Sequence, residues 1–275
     1  VKPTGRRLGI VGCGAIGSLV AKLLRKKRSS FVVTALFDHH PESALCLQKA
    51  LRPRPRICTD LKGLVSHCDW VLEAAGQSAV LRVVQTALSH KKPVVLMSVG
   101  GFFLHRKELT RLATWSRTKI YLPSGALCGL DGLRAARTGG TLTQVTLVST
   151  KPPRGFQGAP GLSPSQRKAL ATSKRTLTLY RGRIEGALRR FPANVNVAAT
   201  LGLAAGIPGK VQVRVQSDPA AKYNQHRVRA KGAFGELETV TRNRPSLLNP
   251  KTSALAIQSA LALFERLEGF VEIGN

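Results

Sequence analysis

The chain has 275 residues, 43% of them hydrophobic, enough for two domains with cores of their own. No apolar run is long enough to span a bilayer, and the opening Val1-Lys-Pro-Thr-Gly-Arg-Arg7 lacks the apolar core of a targeting segment, so neither a membrane span nor a targeting segment is expected. Lys and Arg number 43 against 14 acids, a formal net charge of +29, yet they are scattered along the whole chain and aromatics are only 5%, which argues against a dedicated nucleic-acid reader and for a basic surface that binds nucleic acid nonspecifically at low salt.

The first element is a short apolar strand from Leu8 that runs into Gly12-x-Gly14-x-x-Gly17, with a helical run over Ala15–Lys26 directly behind it. Gly12 permits the turn, Gly14 lets backbone approach a pyrophosphate, and Gly17 lets helix pack on strand. The helix start offers free N–H groups and a positive dipole end. A second strand, Phe31–Phe37, ends at Asp38, whose carboxylate suits both ribose hydroxyls of an adenosine. A glycine motif alone also fits a tight turn that merely opens a helix. The order strand, glycine turn, helix, strand, acid points to a dinucleotide site with Gly12, Gly14, Ala15, Ile16, Gly17 and Asp38 on the cofactor. An acid at position 38 disfavours a 2′-phosphate and puts NAD first, while His39 and His40, when protonated, favour a phosphate and keep NADP open.

The alternation then continues. Pro41–Leu51 reads as a short helix, Arg52–Arg56 as a loop, Asp60–His67 as a helix or turn, Asp69–Ala75 as a strand, and Ser78–His90 as a helix. Pro93–Ser98 reads as a buried strand, Lys107–Arg117 as a helix and Lys119–Leu122 as a strand. Apolar strands alternating with amphipathic helices predict an α/β, Rossmann-type, doubly wound parallel sheet. Gly76, Gln77 and Ser98 follow its strands at their carboxyl ends, where ligands bind in open sheets; they fit the nicotinamide side or a structural turn.

From residue 123 the pattern changes. Leu142–Thr150 alternates as a long strand, Pro152–Pro164 is a Pro/Gly-rich loop, and Arg175–Tyr180 is a short strand. An Ala-rich helix over 193–205 precedes a strand over Lys210–Val215, and Gln225–Lys231 with Glu236–Thr241 form a hairpin. This predicts a second, α+β domain with a mixed sheet. Asn249 and Pro250 suit the cap and first position of a last helix, whose stripe of Ala254, Ile257, Leu261, Phe264 and Leu267 can pack back on the first domain. The expected domains are therefore 1–122 for the dinucleotide, 123–248 for the second domain, and 249–275 for the returning helix. The five cysteines are odd in number and lack C-x-x-C spacing, which favours reduced thiols in a cytoplasmic protein; no metal site is expected. In Gln225–Lys231, period-two alternation places His226 on the covered face with Val228 and Ala230, which by pattern alone fits a core histidine better than a catalytic one.

Several strings are more specific: Glu73-Ala-Ala-Gly-Gln77, Leu96-Met-Ser-Val-Gly100, Pro123–Gly132, Phe191-Pro-Ala-Asn-Val-Asn-Val-Ala-Ala199, Asp218–His226, Gly232-Ala-Phe-Gly235 and Asn249-Pro-Lys-Thr-Ser253. In this order, over nearly the whole chain, they resemble the L-aspartate dehydrogenase family. The resemblance implies an NAD(P)-dependent, homodimeric enzyme that interconverts L-aspartate with oxaloacetate and ammonia through iminoaspartate, on the path to NAD biosynthesis. It implies His226 as the active-site residue and Ala126 and Asn196 as cofactor contacts. Asn194 and Asn196 also suit a helix cap. Lys251, Thr252 and Ser253, at a helix start, suit a substrate carboxylate. The competing readings are a homoserine-dehydrogenase or dihydrodipicolinate-reductase relative, and a non-enzymatic cofactor- or nucleic-acid-binding protein on the same scaffold.

Overall fold

The computed structural model describes residues 5–140, 142–192, 195–244 and 253–273, and the chain divides into two compact units. The first runs to Pro123 and takes back Ile257–Val271; the second comprises Ser124–Ala256 with Glu272–Asn275.

In the first unit, β1 (Arg6–Val11), α1 (Ala15–Lys26), β2 (Phe31–Phe37), α2 (Pro41–Ala50), β3 (Arg56–Ile57), α3 (Leu61–Ser66) and β4 (Trp70–Glu73) follow one another. Then come α4 (Val80–Ser89), β5 (Val94–Leu96), α5 (Val99–Leu104), α6 (Arg106–Ser116) and β6 (Ile120–Tyr121). The six strands are parallel in the order β3-β2-β1-β4-β5-β6. The chain leaves β1 to one side for β2 and to the other for β4, so the carboxyl ends of β1 and β4 flank the point where the winding reverses. Open sheets of this order bind ligands there. The central strands are buried on both faces, which explains their unbroken apolar runs.

The second unit holds α7 (Leu130–Thr138), β7 (Leu142–Lys151), α8 (Pro164–Thr172), β8 (Leu177–Gly182), α9 (Ile184–Arg190) and α10 (Asn196–Ala205). After these come β9 (Val211–Ser217), β10 (Asn224–Gly232) and β11 (Gly235–Asn243). The sheet is mixed, in the order β11-β10-β7-β9-β8: β7 and β9 are parallel and the other neighbours antiparallel. Alternate residues are buried along β7, β9 and β10, so one face is covered and the other carries Arg227, Arg229 and Lys231. α10 packs beside α7 and α9.

α11 (Ala254–Glu268) contributes Ile257, Ala260, Leu261, Leu263 and Phe264 to the core formed with β1, α1 and β2. Polar anchors fix its far end: the Arg6 guanidinium donates to the Leu267 carbonyl at 2.7 Å, and Glu268 accepts from the Ser29 hydroxyl and the Ser30 N–H.

Four helices depart from the sequence expectation. α5 is short, wholly apolar and contains two glycines, so it shows no helical period. α7 is interrupted in composition by Gly132, and α9 is only seven residues long. α8 begins at the end of the expected Pro152–Pro164 loop and fills a stretch to which the sequence assigned no element, yet its start carries a readable signal. Ser163 accepts from the Gln166 N–H, the Gln166 side chain accepts from the Ser163 N–H, and Pro164 occupies the first turn. The helix expected over 193–205 begins at Asn196, whose cap position is Val195 without a side-chain bond, so Asn196 is not the cap. Asn194, and the Asn249–Pro250 cap proposed for α11, lie outside the described residues.

Candidate active site

The glycine turn is set by backbone geometry. Gly12 has φ +92°, donates its N–H to the Phe37 carbonyl at 2.9 Å, and lies so close to the chain after β4 that a Cβ would sit 2.5 Å from the carbonyl carbon of Ala74. A Cβ on Gly17 would overlap the Gly12 carbonyl oxygen, which forces glycine where α1 meets β1. Around Gly14, by contrast, a Cβ would meet nothing within 4 Å. The open side of the turn faces the start of α1, where Ala15 and Ile16 lead a first turn that carries no acidic residue and no side-chain cap. Unclaimed N–H groups and open space beside them fit a pyrophosphate.

Asp38 closes the turn. Its Oδ2 accepts from the Cys13 N–H at 2.6 Å and its Oδ1 from the His40 N–H at 2.9 Å. Two carboxylate oxygens offer about four acceptor positions, so capacity for a ribose diol remains. Burial, then the Asp38 charge, pushes the Cys13 thiol up to about 12, so Cys13 is a neutral filler.

Glu73 received no role from the sequence beyond marking a family string. It is fully buried at the end of β4, where Oε1 accepts from the N–H groups of Ala75 (2.8 Å) and Gly76 (2.9 Å) and the Ser98 hydroxyl (2.9 Å), and Oε2 accepts from the Ser98 N–H (3.0 Å). One carboxylate thus ties together the loops after β4 and β5. Burial raises its pKa against the pull of these bonds. Gly76, with φ +123° and open space where a Cβ would stand, and Gln77, which opens a one-turn 3-10 helix, lie on the loop it holds.

In the second unit, His226 is 2% exposed on the covered face of β10, with its Nδ1 3.1 Å from the Ser149 hydroxyl of β7. Burial first, and then the charge of Lys151, lowers its pKa to about 3, so the imidazole is neutral at physiological pH. Opposite His226 on β11 is Thr241, whose hydroxyl donates to the Ala126 carbonyl at 2.8 Å, tying the Ala126 loop to the histidine's row. Ser253 is buried with its hydroxyl 3.4 Å from the Asn224 amide nitrogen, two residues before His226. Asn196 is half-buried at the first turn of α10. Lys251 and Thr252 lie outside the described residues.

The predicted residues therefore gather in two places: Gly12, Gly14, Ala15, Ile16, Gly17, Asp38, Gly76 and Gln77 at the carboxyl ends of the first sheet, and Ala126, Ser253 and His226 at one end of the second. Lys151 escaped notice, although continuing the inward series Val145, Leu147, Ser149 by two residues places a cation on the covered face.

Residues 131–267 match the family model for the aspartate dehydrogenase C-terminal region, and residues 12–123 match that for the homoserine dehydrogenase NAD-binding domain. L-aspartate dehydrogenase of Methanosarcina barkeri is 37% identical over 271 residues, covering 98% of this chain and 99% of the relative; that of Methanothermobacter thermautotrophicus is 38% identical over 270 residues, covering 98% of each. The crystal structure of aspartate dehydrogenase from Thermotoga maritima shares the fold with a TM-score of 0.76 at 24% identity, covering 98% of this chain and 99% of that one. On identity that runs almost end to end, the chain belongs to the L-aspartate dehydrogenase family.

Proposed function

We propose that this chain is an NAD(P)-dependent dehydrogenase that interconverts L-aspartate with iminoaspartate, and hence with oxaloacetate and ammonia, by hydride transfer at C2. The observation that carries the reading is a neutral, buried imidazole with one ring nitrogen held by Ser149, in a chain whose full length matches the family. The homoserine-dehydrogenase likeness is confined to residues 12–123, so it speaks to the cofactor and not to the substrate.

In this reading Gly12, Gly14, Ala15, Ile16 and Gly17 hold the pyrophosphate, Asp38 the adenosine ribose, and Gly76, Gln77, Ala126 and Asn196 the remainder of the cofactor. Bound NAD(P) supplies the hydride acceptor. His226 moves the proton. With Nδ1 facing Ser149, Nε2 is the nitrogen that exchanges a proton with the substrate's amino nitrogen during oxidation and with water or ammonia in the reverse sense. Lys251, Thr252 and Ser253 contribute to substrate carboxylate binding. NAD is the preferred cofactor and NADP the second, because Asp38 repels a 2′-phosphate.

The protein is further read as a cytoplasmic homodimer that pairs through the second unit; among the described residues no helix is long and apolar enough to cross a membrane. Its charge of +29 gives nonspecific nucleic-acid binding that releases as salt rises. The decisive experiment follows NADH oxidation with ammonia across a panel of 2-oxo acids, with NADPH as comparison. Turnover confined to oxaloacetate, or strongly favouring it, supports the reading, and indifference to oxaloacetate overturns it. Sedimentation at physiological salt tests the dimer.

A further inference from the structure

The covered face of the second sheet changes character at one end. Along β7 the inward residues run Val145, Leu147, Ser149, Lys151; along β9 they run Val211, Val213, Val215, Ser217; along β10, read backwards, Ala230, Val228, His226, Asn224. The strand register aligns these changes. Ser149 faces His226, Lys151 faces Ser217, and Asn224 faces Asn243 of β11, with Asn224 one step beyond the Thr150–Gln225 pair and so level with Lys151. Asn243, Asn224, Lys151 and Ser217 form one polar row across four strands, adjoining the row of His226.

Among the described residues, two atoms of this row, one on Ser217 and one on Asn224, lack the hydrogen bond that burial calls for. Lys151 is 3% exposed, and burial lowers its pKa to about 8. The stem packs against Gly155, where a Cβ would stand 3.3 Å from the Lys151 Cβ. Ser217 Oγ and Asn224 Oδ1 are buried without a hydrogen-bond partner among the described residues. Unsatisfied buried polar atoms are rare in native proteins and concentrate at functional sites. Here a cation and a hydroxyl that can donate stand beside an amide oxygen that can accept. That set complements an amino acid, with a carboxylate for the donors and a nitrogen for the acceptor.

We infer that Lys151 and Ser217 form a carboxylate-binding subsite for the substrate, next to the imidazole of His226. The inference rests on the aspartate reading above and assigns to that reaction an anchor on the sheet itself. An anion there also offsets the Lys151 charge that disfavours protonation of His226, so substrate binding raises the basicity of the imidazole.

Succinate tests this without chemistry, since it carries two carboxylates and no group to oxidise. Its binding is read both as inhibition of oxaloacetate reduction and as the rise in Tm it causes in the presence of NADH. Lys151→Met is expected to weaken succinate about 10- to 100-fold, the loss usual for a hydrogen bond between charged groups. The Kd for NADH should be unchanged, which separates loss of the anion site from loss of the fold. Ser217→Ala, which removes one hydroxyl, should weaken succinate roughly 3- to 10-fold. Succinate binding as in wild type in both variants overturns the subsite. So does a lowered Tm in Lys151→Met with unaltered succinate binding in Ser217→Ala, which makes the lysine structural. If wild type fails to turn over oxaloacetate but still binds succinate, and Lys151→Met does not, the subsite stands and the reaction assigned above falls.

Discussion

Glu73 and Lys151 are both buried charged residues at the carboxyl ends of central strands, one in each unit, and their surroundings differ in kind. Glu73 accepts four hydrogen bonds, three of them from backbone N–H groups, and thereby fixes two loops. Around Lys151 stand Ser217 and Asn224, each with a polar atom left unpartnered. A satisfied buried network rigidifies, whereas an unsatisfied one keeps free energy in reserve for whatever satisfies it. The first sheet is thus built as a finished platform, the second as a surface completed by a ligand.

The sharpest way to break this contrast is at His226. Replacing it with Ala should lower kcat by about 10²- to 10⁴-fold, the usual loss of a general acid–base group. NADH affinity should change by less than about twofold, since the residues proposed to hold the cofactor in the first unit are untouched. Stopped-flow turnover beside fluorescence titration of NADH separates the two readouts. Near-normal turnover would return His226 to the role of a core histidine.

Glu73→Gln tests the platform. The amide keeps the shape but turns one acceptor into a donor that faces N–H groups, so donors at Ala75, Gly76 or Ser98 lose their partner. We expect a stability loss of about 2–4 kcal/mol in urea unfolding and a weaker hold on NADH. Succinate affinity should change far less than NADH affinity. Loss of succinate binding equal to that of NADH would remove the distinction between the two ends.

How far these features were legible depends on whether a local pattern carried them. The parallel sheet was readable because β1, β4 and β5 are buried on both faces and β2 largely so, and they spell apolar runs between amphipathic helices. Gly12 and Gly17 were readable because steric exclusion at a turn admits one residue type. Lys151 was not, because a strand that ends on a lysine normally ends in solvent; here partner strands, 66 residues away at Ser217 and 73 at Asn224, and the Gly155 turn against its stem surround it. Glu73 was opaque for a similar reason. An acid after Trp70-Val-Leu reads as a strand end, and its main partner, Ser98, lies on the next strand's loop.

A milder break comes from pH. The free enzyme's Lys151 is protonated below about 8 and neutral above it, so a carboxylate loses its cation as pH rises through that value. With kcat/KM for oxaloacetate measured at saturating NADH, the alkaline limb should fall near pH 8, by up to about tenfold per unit. His226, with its pKa about 3, stays neutral over the same range and contributes no limb there. In Lys151→Met the alkaline limb should flatten at a uniformly low kcat/KM. An unshifted limb in that variant would assign the titration to another group.

The smallest expected effect is at Asp38, where binding and architecture compete. Its carboxylate already accepts from Cys13 and His40, so it serves the turn whether or not a ribose is present. Asp38→Asn retains an oxygen for one of those N–H groups and removes the charge that opposes a 2′-phosphate. The ratio of NADH to NADPH affinity should fall by about tenfold, or roughly 1.4 kcal/mol, chiefly through tighter NADPH. If instead both cofactors weaken together, Asp38 acts mainly as the buckle of the glycine turn. Discrimination between the cofactors then lies with other groups around the adenosine, while the first unit remains the rigid partner in the comparison.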